Sequence, residues 1–441
     1  MGLHAVVRES GSRPRWRECA FTASIVQILT VCTTTFSEPV DENRTNTIIE
    51  RGSGADPVGD DRARPTPPGH GRGAAVPAGL GYERALDGLR AVAVLCVVGC
   101  HTGVRCVLGG AFGVDLFFVL SGFLITSLLL DEFACSRRID LKAFYVRRLL
   151  RLAPASLTLA LLYGVLVSWR AAILVVFELA NWSVAFNWHP LGPLTHCWSL
   201  SLEEQFYLGW PLMMVGLSRL GRRGASLTVI GLILACVLWR TWLSTIGAPP
   251  NRLYSGFDTR VDAILVGCLL GFNRVSLDQK AATGRFRAWV ALIFGAVPFV
   301  YAAFTSCARR AYFLLKPTRL ESSVMYTALA LGGGLLLIAI RSAHLGVLRA
   351  ALSHRLAVWI GRRSYGIYLW HFPIIYYSGS SSMAIRWISR LHLRTGVVIG
   401  VDLLATVATA AFSYRVIEAP FLRFKRRFER ACRASTSSTS R

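Results

Sequence analysis

Two ionisable residues stand eleven positions apart in an apolar stretch of this chain: Arg90 and His101. Eleven residues are about three helical turns, so on a helix the two side chains share a face about 16 Å apart. Residues 91–98 between them are all apolar. Ionisable groups inside a membrane span usually mark a functional interior rather than a lipid face. An imidazole is also the side chain best suited to taking a proton near pH 7. His101 is therefore the candidate general base, and the plain alternative is a histidine bonded only to its packing partners.

Other residues could join that chemistry. Arg148 and Arg151 are spaced i, i+3 and share a helical face. Their forked donors suit phosphate oxygens, although such a pair can also be a plain topology anchor, as Arg147 is read here. Asp115 enters the next apolar run at the depth expected for His101. A carboxylate on the far imidazole nitrogen would fix the ring's tautomer, and a buried structural pair is the competing reading. In the run 196–207, Ser201 and Glu204 have capping-box spacing, which makes Glu204 a helix brace. Glu203 then points elsewhere, to an acceptor or to the base. Trp198 could stack on a sugar ring and His196 could assist the acceptor. Ser199 lacks the glycine-flanked elbow of a nucleophile.

Three further groups read as structural or auxiliary. Asp258, Arg260 and Asp262 alternate in sign and suggest an internal salt-bridge network. Arg362 and Arg363 could supplement phosphate binding, while His371 is read as packing among its aromatic neighbours. The triplet 332–334, all glycine, has no strand or lysine beside it and reads as close helix packing rather than a phosphate loop.

The elements that must position these groups are membrane helices. Of 441 residues, 53% are hydrophobic, and the mean hydropathy is +0.45. That places the chain among polytopic membrane proteins. Apolar segments long enough to span a bilayer fall near 86–104, 111–130, 151–169, 200–217, 225–247, 257–273, 288–305, 322–340, 356–377 and 396–416. The expected fold is an all-α, polytopic transmembrane bundle of about ten spans. The stretch 171–186 is apolar too, and is read as re-entrant or lying at the outer interface. That choice puts about two dozen cations in inner loops against about ten outside, with both termini cytoplasmic in a multi-pass plasma-membrane protein. The basic loop 306–321 is the exception.

Charge and cysteine usage exclude other classes. The net charge of +24 sits mostly in short segments between apolar runs, which is a topology signal rather than a nucleic-acid groove. The eleven cysteines are scattered without a Cys-x-x-Cys spacing, so neither a disulfide framework nor a metal site is expected. Residues 1–80 read as a disordered or poorly structured extension, 82–422 as the membrane domain and 423–441 as a basic cytoplasmic tail.

Motifs around 110–125, 144–154, 196–207, 258–262 and 364–371 occur in order, and Glu418, Ala419, Pro420 and Phe421 close the series. Together they resemble the acyltransferase-3 family of integral-membrane O-acyltransferases. The resemblance implies transfer of an acyl group, commonly acetyl from acetyl-CoA, to a hydroxyl of a surface glycan, lipid or secondary metabolite. It also implies that Arg148 and Arg151 bind the donor. Acyl-CoA is then a substrate rather than a bound cofactor, and Arg90 would hold its charged portion or stabilise the His101 pocket at a distance. His101 would act as base, or by an acyl-histidine relay. Some members carry an SGNH esterase-like domain after this region; the sequence ends at Arg441, and that domain is expected to be absent. The rival class is a proton-coupled transporter of a small solute, although no inverted repeat supports it.

Overall fold

The computed structural model describes residues 81–102, 110, 112–281, 284–308, 321–380 and 394–425. The extension expected over 1–80, nearly all of the tail expected over 423–441 and most of the basic loop 306–321 lie outside these residues. Every regular element among the described residues is helical.

The chain runs through α1 (Arg84–His101), α2 (Gly113–Ser136), α3 (Leu141–Leu166), α4 (Trp169–Val176) and α5 (Ala180–Phe186). A 3-10 turn (Gly192–Cys197) leads into α6 (Trp198–Leu217), followed by α7 (Gly221–Thr245), α8 (Pro250–Ser255), α9 (Phe257–Ala281) and α10 (Arg285–Ala308). Then come α11 (Tyr326–Arg341), α12 (Gly346–Leu352), α13 (Arg355–Arg362), α14 (Ser364–Ser380), α15 (Arg394–Ser413) and α16 (Ala419–Lys425). Local chemistry sets several boundaries. The Asp140 carboxylate caps α3 by accepting from the Ala143 N–H at 2.9 Å. Arg137 ends α2 in the left-handed region at φ 56°.

Among the described residues six stretches are long and apolar enough to cross a membrane: Gly113–Ser136, Leu141–Leu166, Gly221–Thr245, Arg285–Thr305, Ser323–Arg341 and Val397–Phe424. The protein is thus a multi-pass helical membrane protein. The count of about ten is not reached by this measure. The expected spans at 86–104, 200–217 and 257–273 are the helices α1, α6 and α9, whose polar residues lower their hydropathy. The expected span at 356–377 is broken at Arg363 into α13 and α14. Over 171–186, α4 and α5 meet at 117°. That bend rules out one straight crossing.

The core sits where α1, α2, α6 and α9 meet, around Phe118, Leu120, Phe123, Leu202 and Trp210. Small residues let these helices approach closely. A Cβ added at Gly122 would overlap the Ile264 carbonyl, and one at Gly267 would overlap the Val119 carbonyl, so α2 and α9 touch backbone to backbone. The expected role of the 332–334 glycines is similar: a Cβ at Gly332 would come within 2.8 Å of the Gly295 carbonyl of α10. Gly122→Ala should therefore destabilise the folded protein by about 1–3 kcal/mol. Gly231→Ala, which meets nothing within 4 Å, should be neutral or stabilise by up to ~1 kcal/mol. Thermal unfolding of detergent-solubilised variants measures the contrast.

Candidate active site

Buried charges on α2, α7 and α9 are paired across helices. Arg260 of α9 donates to Asp115 of α2 at 2.8 Å, and Arg240 of α7 donates to Asp262 at 3.0 Å, all four side chains being fully buried. Asp258 accepts from Arg252 and from the Trp239 indole. The expected network among Asp258, Arg260 and Asp262 is thus replaced by three bridges, each to a different element. Successive even positions on a helix do not face each other, so these side chains reach different neighbours. Asp115, expected beside His101, is held by Arg260 instead.

The group on His101 is His371. Their Nδ1 and Nε2 atoms lie 3.0 Å apart, at the outer end of α1 in the expected orientation. The His371 Nδ1 lies 2.5 Å from the Tyr368 carbonyl oxygen, and the Phe372 ring packs edge-on against His101 at 4.9 Å. His101 is half-buried, whereas His371 is fully buried. Sequence reading placed His371 among aromatic packing partners and missed this pairing. The available signal was its position in the same 364–371 motif as Tyr365 and Tyr368.

His196 is adjacent but differently occupied. Pro373 sits inside α14 and cannot donate to the carbonyl four residues earlier, that of Leu369. The His196 Nε2 lies 3.0 Å from that oxygen and supplies the missing donor. Its Nδ1 lies 3.1 Å from the Pro193 carbonyl. Burial, with a smaller contribution from the His101 charge, lowers this imidazole to about 3. The ring, with each nitrogen against a carbonyl oxygen, latches the 3-10 turn to α14 rather than presenting a nitrogen to an acceptor. Trp198 is likewise occupied: it is buried, with the Tyr254 ring at 4.5 Å and Phe118 at 6.2 Å. Its expected face for a sugar is covered by protein. Tyr368 completes this layer, its hydroxyl 2.6 Å from the Ser199 hydroxyl and donating to the His196 carbonyl at 3.1 Å.

A second cluster gathers toward the other end of α1. Arg148 donates to Glu204 at 3.3 Å and lies 3.1 Å above the Tyr207 ring centroid. Glu204 is therefore an ion-pair partner and not the expected helix brace: α6 begins at Trp198, which puts Ser201 within the helix and removes it from the cap. Glu203 accepts from Ser121 at 3.1 Å and from Tyr207 at 3.5 Å. The charges of Arg90 and Arg148 both act on Arg151 and on Glu203, so α1, α3 and α6 bring these groups together. Arg151 is exposed, and no carboxylate among the described residues makes an ion pair with it. Tyr365 ties α14 to this turn of α3 by donating to the Leu152 carbonyl at 2.9 Å. Arg362 is engaged by Asp87 at 3.6 Å and by the Tyr82 hydroxyl at 2.8 Å. Arg90 shares Asp87 at 3.7 Å.

The arrangement sets the His101 imidazole at one end of α1 and Arg90 about 16 Å away along the same helix, where the charge of Arg90 reaches Arg151 and Glu203. Among the described residues no group of three potential metal ligands converges.

A family model for an acyltransferase domain matches residues 83–414. The peptidoglycan O-acetyltransferase OatA of Listeria monocytogenes is 34% identical over 365 residues, covering 77% of this chain and 56% of that protein. YrhL of Bacillus subtilis, provisionally named a peptidoglycan O-acetyltransferase, is 33% identical over 371 residues, covering 77% and 55%. A Staphylococcus aureus protein provisionally named an O-acetyltransferase is 30% identical over 379 residues, covering 77% and 57%. The chain thus spans just over half the length of these curated relatives. No solved structure matches it.

The latch has a measurable consequence. His196→Leu leaves the buried Leu369 oxygen without a donor and should cost about 1–3 kcal/mol. Adding Pro373→Ala restores a backbone N–H to that oxygen, so the double variant should melt closer to the wild type than His196→Leu alone. A thermal-shift series on purified protein reads this coupling.

Proposed function

The chain belongs to the acyltransferase-3 family of membrane acyltransferases, and on that premise we propose that it moves an acetyl group from cytoplasmic acetyl-CoA to a hydroxyl of a cell-wall glycan. The relatives' names support peptidoglycan as the acceptor class. The observation that carries the reading is the layout along α1, with the half-buried imidazole of His101 at one end and the exposed Arg151 in a cluster with Arg90 and Arg148 toward the other.

In the proposed reaction the donor's phosphates lie against Arg148 and Arg151, with Arg90 holding the adjacent charged portion. A thin thioester arm then reaches up between helices to His101, a path that matches the three-turn separation. The acceptor oxygen attacks the thioester carbonyl while His101 takes the hydroxyl proton. The carbon–sulfur bond breaks as the tetrahedral intermediate collapses, and the thiolate leaves with the proton returned from His101. The products are an acetyl ester and the free thiol of CoA. Glu203, held by Ser121 and Tyr207 within the guanidinium cluster, is the proposed carboxylate that tunes the site. Asp115 enters this reading only through Arg260, as a buried pair that joins α2 to α9.

This chemistry sets the proposed topology. CoA is cytoplasmic, so the guanidinium cluster faces inward and the histidine pair outward. The polar helices α1, α6 and α9, together with the broken α13–α14 segment, then cross as well, their charges turned into the bundle. That gives about ten crossings with both termini inside.

Membranes carrying the protein, incubated with radiolabelled acetyl-CoA and cell-wall glycan, should yield covalently labelled glycan. His101→Ala should lower that transfer at least about 100-fold, and transfer persisting at wild-type rate would refute the base role. Arg151→Ala should raise the donor KM about tenfold while leaving kcat nearly unchanged, the pattern of lost uniform binding. A kcat loss at unchanged KM would remove Arg151 from the donor site.

A further inference from the structure

We infer that His371 is a positioning residue that fixes the tautomer of His101 and so presents its Nε2 lone pair for proton uptake. This rests on the proposed base role of His101 and extends it to a residue on a different helix. The His371 Nδ1 lies 2.5 Å from the Tyr368 carbonyl oxygen. A carbonyl oxygen only accepts, so this nitrogen carries the proton. A neutral imidazole has one N–H, which leaves His371 Nε2 as a lone pair. That lone pair faces His101 Nδ1 at 3.0 Å, and only a donating Nδ1–H satisfies the contact. His101 then has its own lone pair on Nε2. The chain of polarity runs from a backbone carbonyl, through one ring, to the reactive nitrogen of the next.

The neighbours hold this relay in one orientation. His371 is fully buried, and its ring packs edge-on against His196 at 5.3 Å. His196 fastens the same turn of α14 through Leu369. When His101 takes a proton from the acceptor hydroxyl, both its nitrogens carry hydrogen, and the Nδ1–H bond to His371 becomes charge-assisted and stronger. The partner is a neutral lone pair and not a carboxylate, so it steadies the imidazolium without adding a full negative charge to the bundle. The site therefore gains the orienting half of an acid–base–carboxylate triad while avoiding the cost of burying another anion.

The test compares His371→Leu, which removes the acceptor at similar volume, with His371→Gln, whose side-chain carbonyl can accept from His101. His101→Ala and the wild type are measured in parallel, all as full-length protein in membranes with labelled acetyl-CoA and glycan. The inference expects His371→Leu to lower kcat about 100-fold at unchanged donor KM, and His371→Gln to recover at least about tenfold of that loss. Thermal unfolding should place the two variants alike, which separates orientation from stability. If His101→Ala is inactive but His371→Leu stays within about threefold of the wild type, or the Gln variant is as impaired as the Leu variant, the His371 role is overturned and the base reading stands. If His101→Ala is active, both fall together.

Discussion

An apolar helical bundle cannot hold an unpaired charge cheaply, and that single constraint organises this protein. Isolated ions transferred into such a medium cost far more than their attraction returns unless geometry and hydrogen bonds compensate. Accordingly Arg260 is matched with Asp115 and Arg240 with Asp262, each pair fully buried and each joining two helices. Arg148 is matched with Glu204 and stacked on Tyr207. Once these demands are met, few ionisable groups keep access to solvent inside the bundle. Arg151 and His101 are among them.

The pairing also explains the hydropathy of the helices. Of the helices that carry site residues, α3 passes as a membrane-crossing helix on length and apolarity, whereas α1 and α6 do not, and neither does α9. Their charges face partners on adjacent helices, while α3, α7 and α10 offer mostly apolar surface outward. Close approach through Gly122 and Gly267 brings α2 and α9 near enough for Asp115 and Arg260 to meet. Packing and electrostatics are here one device.

Proline serves a related purpose in α14. Pro373 frees the Leu369 carbonyl, and His196 arrives from the 3-10 turn to take it. The same helix turn carries His371 to His101 and, one turn earlier, Tyr365 to the α3 backbone beside Arg151. A local defect in one helix thereby registers three distant segments against each other. Sequence reading assigned His196 and Trp198 to the acceptor because polar and aromatic residues before a span suit that task. Their nitrogens and ring faces are instead taken up by protein.

What the sequence determined alone was spacing along single helices. Arg90 and His101 share a face of α1, and Arg148 and Arg151 share a face of α3, because helical rise and turn are local properties. Composition likewise settled a helical membrane protein, since apolar runs of span length have few other uses. Which charge meets which was decided only by the tertiary structure. Asp115 was as plausible a partner for His101 as for another buried polar group, and His371 lies 270 residues from His101 along the chain. Contacts between helices depend on packing angle, close approach and rotation about each axis. None of these is encoded in the periodicity of any one helix, so the choice among buried partners belongs to the assembled bundle.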